Sequence, residues 1–226
     1  MELNNAVAVV TGANRGLGRQ IAEQLLRRGA KVYAGARRPE TVDLPGAVPL
    51  RLDLTDPASV RAAAAAAPDA TLLVNNAGIS THTPLVAGDP DRIRLEMDTH
   101  FFGTLRVTRA FTPVIEGNGG GSILNVLSVL SWFHPAALGA YSAGKAAAWA
   151  LTNSIREELE PRGIRVSALH VGYMDTDMAA HIDADQKISP AAVAALALDG
   201  LEKATPEILA DEVTRQVKQG LGVVTG

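Results

Sequence analysis

The chain contains no cysteine, so disulfides and thiol chemistry are excluded and the redox compartment leaves no mark on it. Aromatic residues are scarce, with two Trp, three Tyr and four Phe in 226 residues, so any that gather near a candidate site are informative. Charge of either sign is never concentrated, and the formal net charge is -3. Binding to nucleic acid or to an anionic membrane therefore has no electrostatic support. No apolar run is long enough to span a bilayer. The start, Met1-Glu2-Leu3-Asn4-Asn5, carries no basic leader, so a secretory signal is not expected and the cytoplasm is the default expectation. No two histidines share a ligand-like spacing, so no metal site is expected. Linkers and internal repeats are also missing, which leaves one domain over residues 1–226 as the expectation.

What is present is a regular alternation of apolar runs and amphipathic stretches. Val7–Val10, Lys31–Ala34, Val48–Leu52, Leu72–Val74, Ser122–Val126 and Arg165–Leu169 read as short buried strands, with Glu207–Ala210 as a short last one. Helical patterns cover 17–28, 57–67, 91–112, 140–160, 190–202 and 211–219. Gly29 can close the first helix in a left-handed conformation, and Asp56-Pro57 supplies an N-cap followed by a first-turn proline. Pro161-Arg162-Gly163 stops the long helix. Strands alternating with helices imply an α/β fold with a parallel sheet covered on both faces.

Three short segments carry chemistry. Thr11-Gly12-Ala13-Asn14-Arg15-Gly16-Leu17-Gly18 follows the first strand and opens the first helix. Its glycines let the backbone approach a pyrophosphate, while the helix N-terminus presents amides and positive partial charge. Asn75-Asn76-Ala77-Gly78 follows the fourth strand, at the carboxyl edge where open α/β sheets bind ligands. Tyr141 and Lys145 are four residues apart on one helix face, and Ser128 lies thirteen residues before the tyrosine. Alone, the tyrosine-lysine pair reads as a surface aromatic beside a solvated charge. A free phenol has a pKa of about 10, and a neighbouring cation favours its ionised form.

Taken together, Thr11-Gly12-x3-Gly16-x-Gly18, Asp53, Asn75-Asn76-Ala77-Gly78, Ser128, Tyr141-x3-Lys145 and Gly172 with Thr176 resemble the compact single-domain branch of the short-chain dehydrogenase/reductase family. The resemblance runs from about residue 5 to the end. It implies a Rossmann-type, doubly wound parallel sheet of about seven strands with helices on both faces. It assigns Tyr141 as proton donor or acceptor, Ser128 as hydrogen-bond donor to the substrate oxygen, and Lys145 as the group that lowers the Tyr141 pKa and binds ribose hydroxyls. The cofactor surface it implies consists of Gly12, Asn14, Arg15, Gly16, Leu17, Gly18, Arg37, Asp53, Leu54, Asn76, Ala77, Gly78, Tyr141, Lys145, Gly172, Met174 and Thr176. Asp53 is placed at the adenine and Thr176 at the nicotinamide carboxamide. Relatives that prefer NAD carry a carboxylate after the second strand. Here Ala36 stands there, with Arg37 next and Arg15 on the facing loop, which suits a 2′-phosphate and points to NADP(H).

Two positions depart from the family pattern. Val171 replaces a proline, which restores an N–H and loosens φ. His100 stands where the family has asparagine, at a place that helps link the lysine to solvent through a water. Either the imidazole keeps that relay in altered form, or it is a tolerated replacement in a packed helix. Trp132, Phe133, Tyr141, Tyr173, Ile79, Leu138, Met174 and Met178 are expected to form a mainly apolar pocket for a hydrophobic carbonyl or alcohol, with 177–189 as a short mobile lid. The resemblance also implies a homodimer or homotetramer through the helices at 91–112 and 140–160. An NADP(H)-sensing regulatory protein with little turnover is the alternative. A sugar-nucleotide epimerase would need an extra lobe for which the chain has no room.

Overall fold

The apolar runs line up as seven strands in one sheet, all neighbouring pairs parallel, in the order β3-β2-β1-β4-β5-β6-β7. They are β1 Val7–Thr11, β2 Lys31–Ala36, β3 Val48–Arg51, β4 Leu72–Asn75, β5 Gly121–Val126, β6 Ile164–His170 and β7 Glu207–Leu209. The computed structural model describes residues 1–221, and the last part of the expected 1–226 span lies outside the described residues. The helices are α1 Gly16–Arg27, α2 Pro57–Ala66, α3 Pro90–Met97, α4 Thr104–Gly117, α5 Gly139–Leu159, α6 Pro190–Glu202 and α7 Glu212–Gly220. Among the described residues, no helix is long and apolar enough to cross a membrane.

Period-2 alternation of the strands splits the core into two layers. Val10, Val74 and Leu124 point to one face, where Ile21 and Leu25 of α1 and Val193 and Leu198 of α6 cover them. Val9, Leu73 and Ile123 point to the other, against Val60 of α2, Phe111 of α4 and Ile155 of α5. Strands covered on both sides must be apolar on both sides, which explains why they read as continuous runs rather than alternating ones.

The order of strand addition reverses between β1 and β4: β2 and β3 lie to one side of β1, and β4 to β7 to the other. Chain crossovers leave a crevice at the carboxyl edge of such a switch point. The glycine turn after β1 and the Asn75–Gly78 segment both open there.

One expected helix proves composite. The 91–112 pattern becomes α3, a π-helical stretch at Asp98–Gly103, and α4, which continues to Gly117 with Pro113 inside it. Phe111 and Ile115 are fully buried on either side of that proline. Their burial on the sheet outweighs the missing hydrogen bond, which costs about 3 kcal/mol. The π stretch carries His100 and widens the helix beside the candidate site, a common place for such turns.

Candidate active site

The glycine turn is built by steric necessity. Gly12 has φ +66° and Gly16 φ +54°, a region that side chains other than glycine rarely occupy. A Cβ on Gly18 would stand 2.3 Å from the Gly12 carbonyl oxygen and 2.4 Å from Asn76 Nδ2. Asn76 itself ties the two loops together, its Nδ2 donating to the Thr11 carbonyl at 2.9 Å. The Thr11 hydroxyl accepts from the backbone N–H groups of Asn76 and Ala77, both at 2.9 Å. Leu17 is buried under the loop, and Asn14 Nδ2 donates to Thr41 Oγ1 at 3.1 Å. Gly16 lies across from the Thr176 side chain, where a Cβ would approach its Cγ2 to 3.4 Å. Residues from four separate chain segments thus line one crevice.

Asp53 accepts from the Thr55 N–H at 2.9 Å and the Thr55 hydroxyl at 2.7 Å. Burial raises its pKa, but those bonds, with Arg37 and Arg51 nearby, leave the carboxyl below its ordinary value. Leu54 is buried, and its carbonyl accepts from Arg106. Arg37 is exposed directly after β2. Arg15 has a partner of its own. Its Nη1 pairs with Asp177 Oδ2 of the 177–189 segment at 3.3 Å, both side chains largely exposed. Such an exposed pair is worth under about 1 kcal/mol.

Ser128 lies two residues beyond β5, and its Oγ accepts from the Leu130 N–H at 3.1 Å. Tyr141 and Lys145 rise from the first turns of α5 on the face that meets it. The Lys145 ammonium stands 5.7 Å from the centre of the Tyr141 ring and donates to the Val126 carbonyl at 2.9 Å. Burial pulls its pKa down to about 8, while the charge of Glu96 raises it. The phenol behaves opposite to the sequence expectation. Burial pushes Tyr141 above the ordinary phenol value, the Ser128 hydroxyl pulls it down, and Glu96 and Tyr173 push it up further. Desolvation of a phenolate outweighs a cation centred this far away. At neutral pH, Tyr141 is therefore a protonated acid beside an ammonium.

His100 is packed behind this pair, its ring edge-on to Tyr141 with centroids 5.1 Å apart. Nε2 lies 2.9 Å from the Ile79 carbonyl and 3.0 Å from Glu96 Oε2. Two glycines make the space. A Cβ on Gly78 would stand 2.9 Å from His100 Cε1, and one on Gly144 would stand 3.2 Å from both Cβ and Cδ2. Glycine at 144, inside a helix, normally sacrifices about 1 kcal/mol relative to alanine, and here the imidazole explains it.

Several working residues give no signal of their role in the sequence. Glu96 is one, because a carboxylate on an amphipathic helix reads as solvated; its side chain is 0% exposed. Asp211 is another. It caps α7 through the Thr214 N–H at 2.8 Å and accepts from the Gly172 N–H at 2.6 Å, fixing the strand end where Val171 replaces proline. His170 is a third, stacked on Trp132 at 3.9 Å and 19°. Burial drives its pKa down to about 4, so it stays neutral. This stacking corrects the pocket expectation: Trp132 is 7% exposed, turned inward between His170 and Trp149 with Lys218 over its ring. Met174 likewise packs against the core and bridges to Ile188. Phe133 (57%), Tyr173 (42%) and Met178 (44%) remain exposed. The 177–189 segment forms two short helical turns and is pinned at its base by Asp175 N–H to the Ile188 carbonyl at 3.0 Å and by a 2.9 Å Lys187–Asp175 ion pair.

A match to the family described as short chain dehydrogenase covers residues 6–187. The chain is 32% identical over 197 residues to the 3-oxoacyl-(acyl-carrier-protein) reductase FabG of Salmonella typhimurium, covering 83% of this chain and 81% of that protein. It is 33% identical over 184 residues to an NADPH-dependent 1-acyldihydroxyacetone phosphate reductase of Schizosaccharomyces pombe, covering 78% and 62% of the two chains. Among solved structures, a short chain dehydrogenase of Burkholderia cenocepacia in complex with NADP superposes with a TM-score of 0.94 at 40% identity, over 99% of this chain and 95% of that one.

Proposed function

Since the chain belongs to the short-chain dehydrogenase/reductase family, we propose that it is an NADP(H)-dependent oxidoreductase that reduces a hydrophobic ketone or aldehyde to an alcohol, reversibly. The observation that carries this reading is the Tyr141 phenol with the Ser128 hydroxyl as its hydrogen-bond partner and the Lys145 ammonium 5.7 Å from its ring centre, beside the crevice built by the glycine turn. The crevice fits the cofactor: Gly12 and Gly18 let the turn close on Asn76 and Ala77, where a Cβ would clash, and Gly16 leaves the backbone open to a diphosphate, a Cβ there meeting nothing nearer than Thr176 Cγ2 at 3.4 Å. Gly12, Gly16, Gly18 and the start of α1 would hold that diphosphate, Arg15 and Arg37 the 2′-phosphate, and Asn76, Ala77 and Gly78 the ribose. Gly172, Met174 and Thr176 would hold the nicotinamide amide. A reduced nicotinamide supplies the hydride.

The chain's own groups handle the oxygen. Ser128 donates a hydrogen bond to the carbonyl oxygen and stabilises the negative charge that develops there. Tyr141 delivers its proton to the same oxygen as general acid. Lys145, positive below about pH 8, offsets the phenolate left behind. Exposed Phe133, Tyr173 and Met178, with no Lys or Arg from Val129 to Leu138, favour an apolar substrate over a carboxylate or phosphate. A panel of apolar and anionic ketones and aldehydes, followed by NADPH consumption, tests this. Apolar carbonyls are expected to lead by at least about tenfold in kcat/KM, roughly what one or two buried methylenes discriminate. Preference for the anionic members overturns the substrate class, and NADPH binding without turnover supports a regulatory protein instead.

A second copy of the chain is the partner the surface favours. Outside the crevice, Leu85, Val86 and the alanines at 143 and 146 line an apolar groove of about 480 Å³ along α5. Leu95 and Phe102, on the neighbouring helices, are also exposed. Apolar surface of this kind, on helices with small residues that allow close approach, suits pairing across a two-fold axis. Sedimentation at micromolar concentration is expected to give a dimer or tetramer; a monomer there refutes the assembly.

A further inference from the structure

Glu96 is a fully buried carboxylate that the reaction proposed above does not require. Both of its oxygens meet donors. Oε1 accepts from the Thr81 N–H at 2.5 Å, and Oε2 faces His100 Nε2 at 3.0 Å. Nε2 also stands 2.9 Å from the Ile79 carbonyl, which can only accept, so the proton of the imidazole resides on Nε2. An ionised carboxylate satisfies the whole arrangement, whereas an amide would turn its NH2 against one of the two donors. With Nε2 protonated, Nδ1 is left as the acceptor, on the ring edge that lies over Gly78.

We propose that Glu96 is a positioning residue for the reaction: from beneath His100 it fixes the Nε2–H tautomer, and it supplies a buried negative charge facing Lys145 and Tyr141. The inference rests on the roles given to Ser128, Tyr141 and Lys145 above. It stands on packing first, since Gly78 and Gly144 both leave room for the ring that Glu96 holds. The charged and titratable groups around the pair are Glu96 from α3, His100 from the π stretch, and Tyr173 and His170 from the end of β6 and beyond. Burial and the Lys145 charge hold His100 below the ordinary imidazole value, and His170 is neutral above about pH 4. Burial raises the Glu96 pKa, but the His100 and Thr81 hydrogen bonds leave it below the usual carboxylate range. At neutral pH, Glu96 is thus the anion of this group and Lys145 its cation.

The sign of the effect follows. A negative charge makes it harder for Lys145 and Tyr141 to lose protons, so removing it moves both titrations to lower pH. Glu96→Gln is expected to shift the alkaline limb of the kcat–pH profile for carbonyl reduction downward by about one unit or more. A Glu96 that merely supports the fold would lower Tm, and kcat evenly at all pH, with the limb in place; that result overturns the proposal. The second readout needs neither turnover nor a substitution at Glu96. In ¹⁵N-histidine spectra of the unmodified protein at pH 7, the His100 resonance, assigned by its loss in His100→Asn, is expected to be the neutral Nε2–H tautomer. A neutral Nδ1–H form or an imidazolium overturns the positioning role. If no carbonyl is reduced, the reaction reading fails while the spectrum still decides the tautomer.

Discussion

Replacing Tyr141 with phenylalanine is expected to lower kcat for carbonyl reduction by about 10³-fold or more while leaving the NADPH dissociation constant nearly unchanged. The substitution removes one oxygen and little else. The ring keeps its edge-on packing against His100 at 5.1 Å, and Lys145 keeps its bond to the Val126 carbonyl at 2.9 Å. What is lost is the proton that the substrate oxygen must receive, and positioned acids of this kind typically contribute about 10²–10⁴-fold. The upper half of that range applies because the Ser128 hydroxyl and the Lys145 ammonium are arranged around the oxygen the proton leaves and stabilise the phenolate that forms there. Ser128 can still polarise the carbonyl, so a residual rate above background is expected. Steady-state kinetics alongside a fluorescence titration with NADPH separates the two effects. Turnover within tenfold of the unmodified protein sinks the mechanism; equal loss of NADPH binding would mean that the ring, not the hydroxyl, was the important part.

What is legible in the sequence and what is not divide along a physical line. Local, strongly patterned signals read well: the strand before the glycine turn, the α1 start, and the α5 face that carries Tyr141 and Lys145 all lie within a few residues of where the pattern puts them. Parallel pairing also follows, since strands buried on both faces cannot alternate. Three-dimensional company is what the chain order hides. Glu96 looks like any surface acid until the π stretch turns His100 over it, and a π turn leaves no periodic trace. Position alone assigns Trp132 to the pocket, yet His170, 38 residues later in the chain, captures it by stacking. The direction of the Tyr141 shift is hidden for a related reason. Sequence supplies the neighbouring cation but not the depth of burial, and burial is the larger influence.

Cofactor discrimination offers the other large effect. The double substitution Arg15→Ala with Arg37→Ala is expected to reduce kcat/KM for NADPH by about 10³-fold, with NADH changed only a few-fold. A charge-assisted hydrogen bond is worth about 1.5–3 kcal/mol, so two guanidinium groups on one phosphate give roughly 3–6 kcal/mol before any loss to exposure. The Arg15–Asp177 pair must open first, but an exposed ion pair at 3.3 Å holds the arginine by under about 1 kcal/mol and leaves most of that gain intact. Asp53 adds to the penalty. Its carboxyl, kept ionised partly by Arg37, would repel a 2′-phosphate once that guanidinium is gone. Because the 2′-phosphate is remote from the reacting atoms, the interaction is equal in ground and transition states, and the loss should appear in KM rather than kcat. Asp177→Asn serves as the control: it frees Arg15 and should alter the NADPH KM by no more than about threefold, given what an exposed pair contributes. If NADH kinetics fall in parallel with NADPH, the arginines support the loop rather than the phosphate, and the electrostatic account of cofactor choice is wrong.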